Sequence, residues 1–366
     1  MTPSRQVRSG WCEMSVNVRK LILPAGSLPE GTQERRVCLD AYFDDLLASV
    51  TAVPEGWEID LNWPSNADYY VDPCLEQGLA WWRAGTAITE IHRQVSHTPR
   101  GQLSLIDSWT LFSWSNWLAE RRMSGKVTNE VVILHVDDHT DLMTPRLNLY
   151  DDNWRDSITG GVFDLYEPAS VQSAILSGAI GVGSFMSPFI HTVPRVHLRH
   201  LSQTATNKGD QDFSLVTKSL ADTILNIGAS RPAISISREL DLFPNEKLMS
   251  SSKLYRFTRQ LDAWLGELPD APVLLHVDMD YFNNRYNGDS DWAARVCTHD
   301  PKLPEIMLAI DDMFKAINDS GVASRIENVT VALSPGFFPA ELWATSINRM
   351  QEYLEHLSWT IKTPER

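Results

Sequence analysis

Val131 to Pro145 reads VVILHVDDHTDLMTP. The first four residues are apolar without a break, the pattern of a strand covered on both faces. Polar chemistry follows at once: Asp137, His139 and Asp141 fall at every second position. In extended backbone that spacing aims all three side chains to one side. Two carboxylates and an imidazole converging at a strand end make a cradle for a hard or borderline divalent cation. A solvated Asp-rich turn would account for the polarity but not for the apolar run before it.

A second stretch repeats the pattern. Val273 to Phe282 reads VLLHVDMDYF, with Asp278 and Asp280 two residues apart. Two such strands would present acidic tips to one crevice, outside the C-terminal ends of an open α/β sheet. Five ligands, four of them anionic, exceed what one cation needs. Two cations sharing carboxylates would neutralise them. His135 and His276 read as core histidines whose side chains point away from the ligand face.

Elsewhere strand and helix signals alternate. Strands are expected at Leu103–Ile106, Ala233–Ile236 and Val329–Leu333, and helices at Trp109–Arg122, Ser170–Gly178, Leu303–Ile317 and Ala340–Leu357. Apolar spacing also predicts helices at Leu39–Val50, Leu215–Ile227 and Ser252–Leu265. Ala179–Phe185 reads as a glycine-containing strand or turn. Leu147–Thr159 and Asn283–Trp292 are polar and read as loops over the site. This alternation predicts a three-layer α/β/α domain with a mostly parallel sheet, spanning 101–366. Residues 1–100 read as an N-terminal segment packed on that domain. Trp57, Trp63, Trp81 and Trp82 there suit either core packing or a peptide groove.

The chain has 366 residues, enough for a large core, and a formal net charge of -15. That charge argues against nucleic-acid binding and suits a cationic partner. Cys12, Cys38, Cys74 and Cys297 are scattered, which fits neither a disulfide framework nor a zinc site. Free thiols fit a reducing cytoplasm. No apolar run approaches a membrane span, and Arg5, Arg8 and Arg19 stand without a signal-peptide core.

Asp137-Asp138-His139-Thr140-Asp141, followed by Thr144-Pro145, resembles the arginase signature, and Asp278-Met279-Asp280 resembles the later Asp-x-Asp motif of the arginase/deacetylase superfamily. The likeness runs from about Leu103 to Trp343. It is nearest to a divergent branch that includes peptide arginases, which convert arginine to ornithine within precursor peptides. The resemblance implies two Mn²⁺ ions bridged by Asp137 and Asp278. His139 and Asp280 would complete one shell, and Asp141 would serve the other ion and the chemistry. It implies an arginine-containing precursor peptide as partner.

Three departures accompany it. Trp109 stands where the superfamily has a further histidine ligand, with Asp107 as a substitute and the second ion in doubt. No histidine follows the first motif before Ile190, which leaves His191 as acid/base or as a surface histidine. Glu341 is placed to hold the guanidinium, or is an ordinary first-turn glutamate of the last helix. Two other classes compete: a one-zinc amidohydrolase of the deacetylase type, and a non-catalytic peptide-binding module.

Overall fold

The structure is a computed structural model, and it describes residues 19–98, 101–150, 153–205, 211–237, 253–294, 299–357 and 359–364. In chain order the elements are β1 (Arg19–Pro24), α1 (Thr32–Phe43), β2 (Leu47–Val53), β3 (Gly56–Asn62), α2 (Leu75–Trp82), β4 (Val95–His97), β5 (Gly101–Ser104), α3 (Trp109–Met123), β6 (Glu130–Val136), β7 (Leu147–Tyr150), β8 (Asn153–Asp156), β9 (Val162–Phe163), α4 (Pro168–Leu176), α5 (Met186–Thr192), β10 (Arg195–Leu201), β11 (Gln211–Ala221), β12 (Ser230–Ser237), β13 (Lys253–Thr258), α6 (Leu261–Leu265), β14 (Val273–Asp278), α7 (Leu303–Asp319), β15 (Ile326–Ala332) and α8 (Trp343–His356).

Nine strands make one sheet in the order β12-β11-β13-β10-β6-β14-β15-β5-β4. The six from β13 to β5 run parallel. Antiparallel β11 and β12 close one edge, and β4 closes the other. The protein is therefore α/β, with a large, mostly parallel sheet. The two apolar runs that lead into the acidic motifs are its central neighbours, β6 and β14. Every residue of Val131–Val136 and Val273–Asp278 is buried, as an unbroken apolar run requires. After β6 the chain moves outward to β10. After β14 it moves the other way, to β15. The crevice between diverging connections is where such sheets hold ligands.

Several expected elements differ. Leu215–Ile227 is not a helix; its first part belongs to β11, paired with β12 and β13. Ser252–Leu265 divides into β13 and the short α6. Tyr255, Phe257 and Thr258 suit a strand, and the partners that decide it are remote in sequence. Leu39–Val50 splits too: α1 stops at Phe43, Asp44 takes φ 57°, and β2 begins at Leu47. Leu147–Thr159 contains the hairpin β7–β8 rather than a loop. Ala179–Phe185 holds a 3-10 turn, Val182–Ser184, leading into α5.

Strands β1, β3 and β2 form a separate antiparallel sheet, whereas β4 is an edge strand of the large sheet and α2 packs into the main core. The core beside the separate sheet, with Leu23, Leu39, Phe43 and Ile59, also takes in Ile158 and Ile224 from later in the chain. Helix α2 meets the start of α8 closely. A methyl at Gly78 would lie 2.6 Å from Ala340 Cβ and 2.8 Å from Trp343 Cε3. Gly78→Val is expected to cost about 1–3 kcal/mol by overpacking. The measurement is the Tm, and an unchanged Tm would mean that α2 can yield. Among the described residues, no helix is long and apolar enough to cross a membrane.

Candidate metal centre

The chain leaves β6 without regular structure from Asp137 to Pro145. Side chains and carbonyls of this turn must therefore be fixed by contacts. His139 N donates to Asp137 Oδ1 at 2.5 Å. Asp138 N donates to Asp280 Oδ1 at 3.2 Å, which ties the β6 turn to the one after β14. Asp280 N in turn donates to Asp278 Oδ1 at 3.0 Å, and Ser334 Oγ donates to Asp278 Oδ2. Asp141 sits at φ 51°, a left-handed conformation that aspartate tolerates better than most residues.

These contacts bring together all five residues expected as ligands, in overlapping groups. Asp137, His139 and Asp280 form one, with His139 Nδ1 2.8 Å from Asp280 Oδ2. Asp107, Asp137 and Asp278 form a second. His135, Asp137, Asp141 and His276 form a third. Asp107 thus joins the cluster where a histidine was missed. Trp109 turns away, its indole N–H donating to His92 O at 2.9 Å.

The electrostatics leave this cluster to be neutralised by protons or by cations. Burial raises Asp107 and Asp137 well above the ordinary carboxylate range, and the nearby Asp141 adds to it. Burial and Asp280 do the same to Asp278. Burial raises Asp141 to about 7 against the opposing pull of His139. Burial would lower His139, but Asp280 and Asp137 raise it well above the usual imidazole range. Three buried carboxylate oxygens, Asp107 Oδ1, Asp137 Oδ2 and Asp141 Oδ2, have no hydrogen-bond partner. Buried polar atoms are rarely left so. A donor set of mostly carboxylate oxygen with imidazole fits a metal ion, so these groups could bind one.

His135 does not point away. It lies two residues before Asp137 and so shares its face, with Nε2 3.8 Å from both Asp137 Oδ2 and Asp141 Oδ2. His276 stacks against it at 5.1 Å. The period-2 rule, counted correctly, would have placed both beneath the aspartates.

Above the cluster opens a cavity of about 510 Å³. Asp138, His139, Asp141, Asp278 and Asp280 line its floor. The N-terminal segment supplies a wall with Asp44, Asp45, Trp63, Tyr69, Tyr70 and His92. Trp63 and His92 stack at 4.3 Å, 5° from parallel. Asp45 is held by Val182 N at 3.0 Å. A methyl at Gly181 would lie 2.2 Å from Asp45 Oδ2, so glycine is what admits that carboxylate. Burial and Asp44 raise Asp45 to about 7, while Arg146 opposes them. Neither wall carboxylate was singled out from the sequence, because nothing local joins them to a motif far along the chain.

Of Trp57, Trp63, Trp81 and Trp82, Trp63 alone lines this cavity. Trp57 donates to Ala25 O, and Trp82 is buried with its N–H on Gln94 Oε1. Trp81 packs against the main core. His191 is not brought to the cavity: its Nε2 lies 2.9 Å from Ala233 O, and its ring meets Trp154. Glu341 also lies outside the lining. Its Oε1 is 2.5 Å from Arg285 Nη1, and it groups with Asp72 and Cys74. Asp72 is already engaged there by Cys74 N, Tyr286 OH and Ala340 N. This knot joins the N-terminal segment to the turn before α8. No family model matches the sequence, and no curated protein matches it.

Proposed function

We propose that the protein is a metal-dependent hydrolase that converts arginine side chains of a peptide to ornithine and urea, using Mn²⁺. One observation carries this: seven aspartates line the cavity and, among the described residues, no lysine or arginine does. Two divalent ions would offset four of those charges. The surplus favours a positively charged ligand, and a planar guanidinium suits an aromatic and carboxylate wall. The likeness of the two acidic motifs to arginase points to the same chemistry.

Asp137, His139, Asp278 and Asp280 would hold the ions with Asp107 and Asp141. Bound metal would supply a Lewis acid and an activated water. A shell dominated by carboxylate oxygen suits Mn²⁺ better than Zn²⁺. Asp141, through Oδ2, would take the proton of the attacking water and return it to the departing amine nitrogen. Asp45 and Asp44 would anchor the guanidinium, a role expected of Glu341 until Arg285 is seen to hold it. Trp63, stacked on His92, would cover the guanidinium plane.

The test is mass spectrometry of arginine-containing peptides incubated with Mn²⁺ and the protein. Each turnover should lower the mass by one carbodiimide unit (HN=C=NH) and release urea. Urea from free arginine with every peptide unchanged would overturn the peptide assignment; no urea from either would overturn the reaction. Asp45→Asn should raise KM about tenfold or more, the worth of one charge-assisted hydrogen bond, with kcat little changed. A fall in kcat at constant KM would remove Asp45 from substrate binding. A one-zinc amidohydrolase is the second reading; it needs Asp137, His139 and Asp278 on one ion, whereas the compact group around His139 has Asp280 in place of Asp278. One tightly held zinc per chain would select it.

A further inference from the structure

His200, His135 and His276 stand in one row across three neighbouring parallel strands, His200 opposite His135 and His135 opposite His276. All three are fully buried, directly beneath the acidic strand tips. His200 Nε2 lies 3.0 Å from Asp137 O, and its Nδ1 lies 2.8 Å from Tyr255 OH. His135 Nε2 lies 3.1 Å from His139 O, and its Nδ1 lies 2.9 Å from His276 Nδ1. His276 Nε2 is the one ring nitrogen of the row without a partner.

A carbonyl oxygen can only accept, so His200 and His135 each carry a proton on Nε2. Nδ1 of His200 then accepts from Tyr255. With one proton per ring, His135 Nδ1 is bare, and its contact with His276 needs a proton from His276 Nδ1. That leaves the orphan His276 Nε2 as a lone pair beside the Phe185 ring, whose centroid is 5.2 Å away. The reverse arrangement sets a lone pair of His135 against His139 O and buries an unpartnered N–H. Each of those is costly.

We infer that these histidines are positioning residues for the metal centre. Two imidazole N–H groups tie down the carbonyls of Asp137 and His139 in a turn that has no regular structure. The side chains of those two residues are thereby aimed. His276 acts at one remove, by holding His135 in the tautomer that donates. None of the three lines the cavity, so the inference holds whether or not the chain hydrolyses arginine.

Selective ¹⁵N-histidine NMR on the metal-free full chain reads the tautomers, with the His276 signal assigned by its loss in His276→Asn. The expected result is a neutral Nδ1–H ring at His276 and Nε2–H rings at His135 and His200. A doubly protonated His135, or Nε2–H at His276, overturns the chain of donors. If His276→Asn does not fold, the native spectrum alone decides. It must contain at least two neutral Nδ1–H rings, His276 and His92, whose Nε2 accepts from Arg93; fewer overturns the inference. In the second arm, Mn²⁺ is titrated into His276→Phe and His276→Asn. The phenylalanine variant should bind about 10–100-fold more weakly, and the asparagine variant, whose amide can donate in place of Nδ1, should recover most of that. Equal affinity in the native chain and His276→Phe overturns the positioning role. A native chain that takes up no Mn²⁺ removes the metal centre and that role together, and leaves the donor order to the tautomers.

Discussion

Asp278→Asn is expected to abolish turnover and most metal uptake while leaving the fold in place. The amide can keep both contacts of the carboxylate: its oxygen accepts from Asp280 N, and its NH₂ can donate to Ser334 Oγ. What disappears is the charge. Asp278 groups with Asp107 and Asp137 through ligand atoms that lie within 4.8 Å of one another. Without that charge the cluster would attract a cation less. Losing several kcal/mol of metal-derived stabilisation corresponds to a rate loss of about a thousandfold or more. Elemental analysis should find one ion or fewer per chain, and circular dichroism should be unchanged. A variant with full metal content and full turnover would end the two-ion reading.

Metal-free protein is expected to lose stability as the pH rises, and Mn²⁺ should offset part of the loss. Asp141 is raised to about 7 by burial, and Asp107, Asp137 and Asp278 are raised with it. A carboxyl raised in the folded state binds its proton more tightly there than in the unfolded chain. Its contribution is therefore fully present below the unfolded value near 4 and is lost as the pH climbs through about 7. For Asp141 alone that is on the order of 4 kcal/mol. A bound metal ion would stand in place of those protons. Mn²⁺ at a hundred times its Kd adds about 2.7 kcal/mol. Thermal melts of the chelated protein between pH 4 and pH 8 should show a falling Tm, and melts with Mn²⁺ should show a smaller fall. A metal-free Tm that rises over the same range would contradict the crowding of the carboxylates.

The central part of the fold was legible because its signals are local. An apolar run that ends in alternating acids marks a buried strand with a functional tip, and both instances are adjacent in the sheet. The five expected ligands converge for the same reason. What could not be read depended on partners far along the chain. Residues 211–221 have apolar spacing that fits a helix or a strand, and only pairing with β12 and β13 decides between them. Asp45 and Trp63 reach the cavity through the packing of the N-terminal segment, which leaves no motif. The misplacing of His135 is different in kind: its spacing from Asp137 already put it on the ligand face. His191 and Glu341 were chosen for position relative to the motifs, and hydrogen bonds to Ala233 and Arg285 occupy them elsewhere.

The cavity is built from two parts of the chain that need not change together. Its floor belongs to the central strands, and one wall belongs to the first hundred residues. The candidate metal residues and this wall thus lie on separable stretches of the polypeptide. On the proposed reading, changing residues 44–70 would alter which ligand the cavity accepts and leave the acidic strand tips as they are.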